Sequence, residues 1–551
     1  MVAGRVLTVQ NHNAKGDSPF FSANDRSRWC TIRALGDEGT YEIDDVIGAE
    51  QDINWNTIDK VRHVGPDGQF HEFSSKPTLL PTMLAGIYKA VKFVTSKNLS
   101  DDTTFVVRLM LLLFNVSLWA VFMCFVAKTI NAVPVRDWAR YYVLACAGFG
   151  TFLSSFTVTL NNHLPAAVCV MVSLYYISYI WRKDTTHWVY FFACGLFAML
   201  AFACELPALS FVAFAGLFCL IKSLTKTMLA FVPALILVAA GIVGTNYMAH
   251  GQWRPAYAHR GDGKTIATLT TNDEENGTEL LAKKLNSGQM PNQILDEAKK
   301  HFEFKAPTIE VGSWPGTSNL ERRWVVRDEL STTQFSIVNP AVKPAQKPSM
   351  ISKLLAKVYK NESTEEFVAS NDFEIRAWDN WYDYPGSYWL ASNDARKSEV
   401  DRGQPSKQIY SFHVLFGHHG IFSLTPIWLL SLAGMIALLC GAKMAGRFQM
   451  RWLGLMGLSI SIVVVFFYIN RTTMDRNYGG VTSALRWAFW MAPIWLVSML
   501  PIVDWLGKSK SGKAFCFALL IASAVSAMYS ANNPWVHPWL YEIWDLTGLP
   551  K

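Results

Sequence analysis

A group of charged side chains near the start of the chain could perform acid–base chemistry on an anionic substrate. Residues 24–29 read Asn-Asp-Arg-Ser-Arg-Trp, and residues 75–81 read Ser-Lys-Pro-Thr-Leu-Leu-Pro. Arg28 follows Asp25 by three residues, on the same face if the segment is helical. Cations can bind a phosphate while a neighbouring carboxylate accepts a proton. We therefore expect Asp25 to be catalytic and Arg28 and Lys76 to bind a phosphate. The alternative is that Asp25 is a solvated side chain or a helix cap.

A second group of candidates lies between residues 470 and 487, where Tyr478 is followed by Gly479 and Gly480. Two successive glycines allow the backbone to approach a ligand closely. Arg476 and Arg486 flank them and could bind a phosphate near the membrane surface, with Tyr478 as a possible substrate contact. The alternative is a tight turn whose arginines extend toward the membrane interface.

Two polar positions occur at the ends of hydrophobic stretches. His163 follows Asn161 and Asn162, and Glu205 precedes Leu-Pro. Ionisable groups at membrane depth are usually functional. We therefore expect Glu205 to face the same cavity as Asp25, and Glu205 and His163 are candidate substrate-binding residues. The alternative is that Glu205 lies in a solvated turn.

Metal and nucleotide chemistry have little support in the sequence. The pair His418-His419 has no carboxylate or cysteine at ligand spacing, and the nine cysteines form no Cys-x-x-Cys pair. No glycine-rich phosphate loop is present. We predict no metal site and no required cofactor, although the chemistry proposed for Asp25 is also compatible with a divalent metal.

The composition indicates a polytopic membrane protein. The 551 residues are 51% hydrophobic and only 17% charged, with 21 Trp, whereas a soluble protein has about 25% charged residues. The net charge of +7 is explained by basic cytoplasmic loops rather than by a nucleic-acid partner. We therefore predict an all-α polytopic protein of about ten transmembrane helices, with a mixed α/β insert.

Five segments follow from the hydropathy pattern. Residues 1–104 form a first loop that carries the Asp25 motif and ends in an amphipathic surface helix. Residues 105–249 hold about six spans, 250–411 form the insert, 412–530 hold about four spans, and 531–551 form a tail. The predicted spans are 105–127, 138–160, 164–181, 187–204, 207–222, 228–249, 421–442, 452–469, 484–503 and 514–530.

Basic residues in alternate loops predict the orientation. Every second short connection is basic: Lys128, Arg136 and Arg140; Arg182 and Lys183; Lys222 and Lys226; Lys443, Arg447 and Arg451; Lys508, Lys510 and Lys513. We expect these loops to be cytoplasmic and the first loop, the insert and the tail to face outward. Residues 1–10 are too short to span and have no signal-peptide core. We expect them to be the end of a first helix that begins upstream; the alternative is a short interfacial leader.

The end of the insert is rich in aromatic side chains. Residues 378–389 read Trp-Asp-Asn-Trp-Tyr-Asp-Tyr-Pro-Gly-Ser-Tyr-Trp. Rings can stack on sugar faces while carboxylates bind hydroxyls, so the segment could contact carbohydrate. It could equally be an interfacial belt or the core of the insert.

Three short motifs together resemble a known family. Residues 25–29 (Asp-Arg-Ser-Arg-Trp), 39–41 (Gly-Thr-Tyr) and 76–79 (Lys-Pro-Thr-Leu) resemble the first outer loop of GT-C-fold glycosyltransferases. The likeness is to the protein mannosyltransferase and aminoarabinose transferase superfamily, whose members use polyprenyl-phosphate sugars. The chain departs from the family pattern at Arg26, Ser75 and Thr78.

The resemblance implies a function. Asp25 matches the family's catalytic aspartate, and Arg28 and Lys76 match positions that hold the carrier phosphate. It implies a GT-C-like fold in a bacterial inner membrane, with the active site facing the periplasm. The expected partners are a polyprenyl-phosphate-linked sugar, an envelope acceptor (lipid, glycan or protein) and the bilayer. The alternative is a non-catalytic membrane protein, such as a transporter of lipid-linked glycans.

Overall fold

The computed structural model divides the chain into two compact units. The membrane unit comprises Met1–Lys60, Glu72–Ala256 and Ser398–Lys551, and the insert unit comprises Val61–His71 and Tyr257–Lys397. The structure describes residues 1–13, 16–48, 53–271, 276–312, 322–342, 368–390, 397, 400–441 and 448–548.

Among the residues that the structure describes, six helices of the membrane unit are long and apolar enough to cross a bilayer. They are Thr103–Asn131, Asp137–Val158, His163–Arg182, Leu224–His250, Arg451–Ile469 and Lys510–Tyr529. A seventh span is possible if Arg486–Ser498 and Leu500–Leu506, which meet at 47°, act together.

The predicted count of ten spans is not confirmed, although an apolar helix lies at each predicted position. Three of these helices are too short: Trp188–Cys204, Leu206–Lys222 and Trp428–Leu439. Crossing the hydrocarbon core takes about 20 helical residues. Hydropathy located the apolar stretches correctly, but it does not determine where the backbone stops being helical.

The long helices differ in how much of their surface the protein covers. The most apolar windows of Asp137–Val158 and His163–Arg182 are each 72% buried, whereas that of Thr103–Asn131 is only 28% buried. The latter leaves large side chains such as Leu113 and Phe105 half exposed. Extended apolar exposure of this kind is costly in water and favourable against lipid.

The first loop has two main helices that pack on each other, Ala23–Asp37 (the Asp25 helix) and Leu79–Thr95. Gly36 allows the contact, because a Cβ at this position would lie 2.2 Å from the ring of Tyr88. The second helix buries Leu84 and Val91, two of its regularly spaced apolar residues, and its location at the membrane surface stays a prediction. Shorter elements are the helices Val2–Leu7 and Asp44–Gly48 and the strands Lys60–Val64 and Phe70–Ser74.

The insert unit contains an antiparallel sheet of five strands. In spatial order these are Thr265–Thr270, Asp372–Ala377, Gln334–Asn339, Arg322–Asp328 and Pro307–Gly312. The helices Asn276–Asn286 and Asn292–Lys299 contribute Leu285 and Ile294 to a core with Trp324, Phe335 and Phe373. The predicted mixed α/β character of the insert is confirmed.

The aromatic segment of the insert supplies core residues. Trp381 is 3% exposed, and its ring centroid lies 3.5 Å from that of His259 and 4.1 Å from that of His63. The carboxylate of Asp383 pairs with Arg323 at 3.0 Å and with Arg327 at 2.7 Å. These contacts favour the core interpretation of this part of the segment over carbohydrate binding.

Candidate active site

Asp25 lies in the first turn of its helix, where the helix dipole favours a negative charge. Ser22 caps the helix by accepting a hydrogen bond from the Asp25 amide at 3.0 Å. The carboxylate is 1% exposed, and its Oδ2 accepts hydrogen bonds from the Thr159 hydroxyl (2.8 Å) and the Phe21 amide (3.3 Å). In the described part of the chain, Oδ1 has no hydrogen-bond partner.

The environment of Asp25 makes it more basic than an ordinary aspartate. Burial raises its pKa to about 6, against opposing effects of the hydrogen bonds from Thr159 and Phe21 and of the charge of Arg28. The nearby indole of Trp29 also lowers the pKa of Asp25, although its N–H forms no hydrogen bond within the described part of the chain. Asp25 is therefore ionised at neutral pH and well matched to accept a proton.

Arg28 is buried one turn along the same helix. Its Nη1 donates to the backbone oxygen of Asn24 (2.8 Å) and to Asn24 Oδ1 (2.5 Å), and its Nη2 donates to Asn162 Oδ1 (2.8 Å). Burial and the nearby charge of Arg486 lower its pKa to about 10, which leaves the guanidinium charged at neutral pH.

Glu205 connects Asn162 to His163. Asn162 Nδ2 donates to Glu205 Oε1 at 2.7 Å, and His163 Nδ1 lies against the same oxygen. His163 Nε2 is 2.9 Å from Nη1 of Arg486. Because a guanidinium only donates, Nε2 must accept, so the ring proton is on Nδ1 and faces Glu205.

Arg486 extends the network back to Asp25. Its guanidinium lies 4.9 Å from the ring centroid of Trp535, a cation–π contact. The indole N–H of Trp535 donates to Thr159 Oγ1 at 3.0 Å, and Thr159 donates to Asp25. Arg28, at the other end of this series of contacts, acts on Asp25 through its charge. We call the set the polar ring; its members are Asp25, Thr159, Trp535, Arg486, His163, Glu205, Asn162 and Arg28.

Lys76 brings a third cation close to the two guanidiniums. Its ammonium pairs with Asp59 at 2.8 Å. Burial lowers the pKa of Lys76 to about 8; Asp59 opposes this change, and the charges of Arg28 and Arg486 add to it. The three cations thus share one site, with Asp59 as a counter-ion.

The Tyr-Gly-Gly turn holds Arg486 in place. Tyr478, Gly479 and Gly480 all have positive φ, at 57°, 98° and 81°. The Gly479 carbonyl accepts a hydrogen bond from Arg486 Nε at 2.8 Å. A Cβ on Gly479 would lie 2.8 Å from that same nitrogen, so the turn needs glycine both for its conformation and for the contact.

Two predicted residues have their contacts outside the polar ring. Arg476 donates to Thr473 Oγ1 at 2.9 Å, and its carbonyl accepts from the Gln404 amide. The ring of Tyr478 stacks on His419, with centroids 4.6 Å apart, and lies 4.9 Å from Tyr410.

The structure therefore brings together six of the eight sequence candidates: Asp25, Arg28, Lys76, Arg486, Glu205 and His163. Sequence reasoning missed Asp59, Thr159 and Trp535. Asp59 is a lone acidic residue in a polar stretch, and Thr159 and Trp535 are 376 positions apart. Local spacing carries no signal for such pairs. Among the described residues, no group of three or more His, Cys, Asp or Glu side chains could hold a metal ion.

Comparison with solved structures gives a distant likeness. No protein-family model matches the chain, and no curated protein sequence matches it. A structure of a protein O-mannosyltransferase complex of S. cerevisiae, bound to the sugar donor, is similar over 98% of this chain and 96% of that chain. The two share 11% sequence identity and superpose with a TM-score of 0.39.

Proposed function

We propose that this protein is a membrane glycosyltransferase. It moves a sugar from a polyprenyl-phosphate donor to an envelope acceptor, which is a lipid, a glycan or a protein, at the outer face of the membrane. The observation that carries the proposal is a buried carboxylate, that of Asp25, whose Oδ1 has no hydrogen-bond partner in the described part of the chain and which belongs to the same polar ring as Arg28 and Arg486. Lys76 adds a third cation to that site.

The cations suit a phosphate leaving group. As the bond from the anomeric carbon to the phosphate oxygen breaks, negative charge develops on that oxygen. Arg28 is buried, Lys76 and Arg486 are partly buried, and all three are held in place before the reaction. They therefore stabilise this charge without reorganising. A buried position also strengthens each interaction relative to water.

Asp25 suits the other half of the transfer. A hydroxyl of the acceptor attacks the anomeric carbon from the face opposite the phosphate, and its proton passes to Asp25 Oδ1. A pKa of about 6 leaves the carboxylate ionised at neutral pH, yet a better base than a solvated aspartate. The products are an inverted glycoside and a polyprenyl phosphate.

The test replaces Asp25 with Asn in a deletion strain and measures envelope glycans by mass spectrometry. A general base contributes about 10²–10⁴-fold, so Asp25→Asn should reduce the glycan product at least about 100-fold. The purified variant should still bind a polyprenyl phosphate. The control is Asp45→Asn, which changes an exposed carboxylate of the first loop. Wild-type product levels from Asp25→Asn would end the catalytic assignment.

A further inference from the structure

Asp59 is a carboxylate placed among the cations of the candidate site. Its Oδ2 lies 2.8 Å from the Lys76 ammonium, and each of these two side chains is only 15% exposed. The charges of Arg486 and Arg28 also act on it. Anionic oxygens of a bound phosphate would need the same neighbours.

The backbone of Asp59 is fixed from both sides of the first loop. Its carbonyl accepts hydrogen bonds from the Ser27 hydroxyl at 2.6 Å and from the Ser75 amide at 3.1 Å. Its amide donates to Thr57 Oγ1 at 3.1 Å. Ser27 belongs to the Asp25 helix and Ser75 directly precedes Lys76, so the carboxylate has a set position between the two motifs.

The carboxylate stays ionised in this position. Burial by itself raises the pKa of Asp59, but the charges of Lys76, Arg486 and Arg28 outweigh burial and bring it below the ordinary value. Asp59 therefore supplies a full negative charge at any pH near neutrality, and it partly neutralises the cations around it.

We propose that Asp59 is a resident counter-anion, which stands in for the ligand phosphate while the site is empty and keeps Lys76 charged until that phosphate arrives. This inference rests on the proposed function, since it takes the site to bind a phosphate. It assigns Asp59 a role in ligand binding, and Lys76 changes partners from the carboxylate to the phosphate.

The physical reason is the cost of an unpaired buried ammonium. Burial and the two guanidiniums already lower the pKa of Lys76 to about 8 with Asp59 present. Without that carboxylate, Lys76 would lose its main opposing charge and become neutral in the empty site. Phosphate binding would then require Lys76 to take up a proton.

Calorimetry can count that proton. We would titrate the full-length protein at pH 7 with methyl citronellyl phosphate, a short phosphodiester whose charge does not titrate near neutrality, in two buffers of different ionisation enthalpy. All variants carry Asp25→Asn, which removes the carboxyl that titrates near pH 6. With Asp59 present, a Lys76 pKa of about 8 gives an uptake of about 0.1 proton. Asp59→Asn should raise the uptake above about half a proton.

Two variants isolate the pair. Glu72→Gln is the matched control, because Glu72 forms a similar buried pair with Lys60 at 2.6 Å; its proton uptake should equal that of the parent. Adding Lys76→Arg to Asp59→Asn should abolish the uptake, since arginine remains charged. If Asp59→Asn does not fold, Lys76→Arg alone serves at pH 8. There the parent should take up about half a proton and the variant none.

The outcomes separate the inference from the proposed function. A parent that binds no phosphodiester overturns both, because the site is then not a phosphate site. A parent and an Asp59→Asn variant that bind the diester with equal proton uptake overturn the role of Asp59 and leave the phosphate site standing. At pH 8, an unchanged uptake in Lys76→Arg overturns it as well.

Discussion

At the scale of single residues, the candidate site uses one carboxylate to hold two guanidiniums. Glu205 reaches Arg28 through Asn162 and reaches Arg486 through His163. The two guanidiniums carry like charges and repel each other. Glu205 is negatively charged and holds Asn162 and His163, the residues that contact them, so it lowers the free-energy cost of placing Arg28 and Arg486 in one site. Each contact in this series also restrains a side-chain rotamer. The N–H donors of the two guanidiniums are therefore oriented before an anionic ligand binds.

We predict that Glu205→Gln weakens binding of the lipid-linked donor more than it slows the chemical step. The amide keeps the size of the side chain but removes the charge that orients His163 and, through it, Arg486. The KM for the donor should rise about tenfold, equivalent to about 1.4 kcal/mol, with a smaller change in kcat. Glu72→Gln, which removes a comparable charge elsewhere in the first loop, is the control. A KM equal to wild type would show that Glu205 does not position the cations.

The assignment of Asp25 as the base also predicts how kcat depends on pH. Transfer needs the ionised base, so kcat should rise with pH through about 6 and level off above about 7, following the pKa of Asp25. A pH series of initial rates measures this limb. A rate that is flat between pH 5 and pH 7.5 would contradict the assignment of Asp25 as the base.

The ionised carboxylate of Asp25 should lower the free energy of unfolding at neutral and alkaline pH. Burial raises the pKa of folded Asp25 from 3.8 to about 6, so the folded protein binds the proton more tightly than the unfolded chain does. The stabilisation that comes from this tighter proton binding is fully present below pH 3.8 and is lost as the pH rises through about 6. Asp25→Asn removes the penalty of an ionised buried group, so it should raise Tm by a few degrees at pH 8 and by less at pH 5. Equal shifts at the two pH values would contradict this account.

At the scale of elements, short turns place the polar side chains of the candidate site at the ends of long helices. The Tyr-Gly-Gly turn begins after the helix Arg451–Ile469 and places the Gly479 carbonyl on Arg486, the first residue of the next helical segment. Asn162 directly precedes the helix His163–Arg182, and Glu205 directly follows Trp188–Cys204. Each connection therefore contributes between one and three residues to the polar ring.

The two glycines of the turn provide a matched pair of variants. Both have positive φ, which costs an Ala about 1–2 kcal/mol, but only a Cβ on Gly479 would contact Arg486, at 2.8 Å. The nearest atom to a Cβ on Gly480 is Asp401 Oδ1, at 3.7 Å. We predict that Gly479→Ala raises the KM for the donor at least about tenfold, whereas Gly480→Ala lowers Tm similarly with less effect on KM. Equal KM values would mean that the turn serves the fold alone.

Local sequence patterns predicted the helices and the insert better than they predicted which side chains contact each other. Hydropathy placed the apolar helices and the mixed insert, and the charged motifs pointed to Asp25, Arg28, Lys76 and Arg486. The contacts that join them cross the chain: Arg28 and Asn162 are 134 positions apart, and Arg486 and His163 are 323 apart. Which residues meet at such separations is set by helix packing, so Asp59 and Thr159 could not be recognised from their neighbours in the sequence.

At the scale of the whole molecule, the polar ring takes its members from one set of helix connections. Asp25 and Arg28 come from the first loop, and the other members come from the segments at 159–163 and 205, from the start of the bent pair at 486, and from the tail at 535. The basic connections alternate with these: Lys128 to Arg140, Arg182–Lys183, Lys222–Lys226 and Lys508–Lys513. By the positive-inside rule, we expect the ring to face the outer side. This orientation suits a donor that carries its sugar on an outward-facing phosphate.

Cysteine labelling tests that orientation. Lys183→Cys places a thiol in a basic connection at an exposed position, and Asp67→Cys places one in the hairpin of the first loop, where the aspartate side chain is 53% exposed. With a membrane-impermeant maleimide, Asp67→Cys should react in intact cells and Lys183→Cys only after permeabilisation. The wild-type chain corrects for its own thiols, among which Cys124 and Cys440 are exposed. The reverse pattern would place the ring on the cytoplasmic side. A glycosyl transfer there would call for a donor whose sugar faces the cytoplasm, so the labelling result decides which pool of lipid-linked sugar the site can reach.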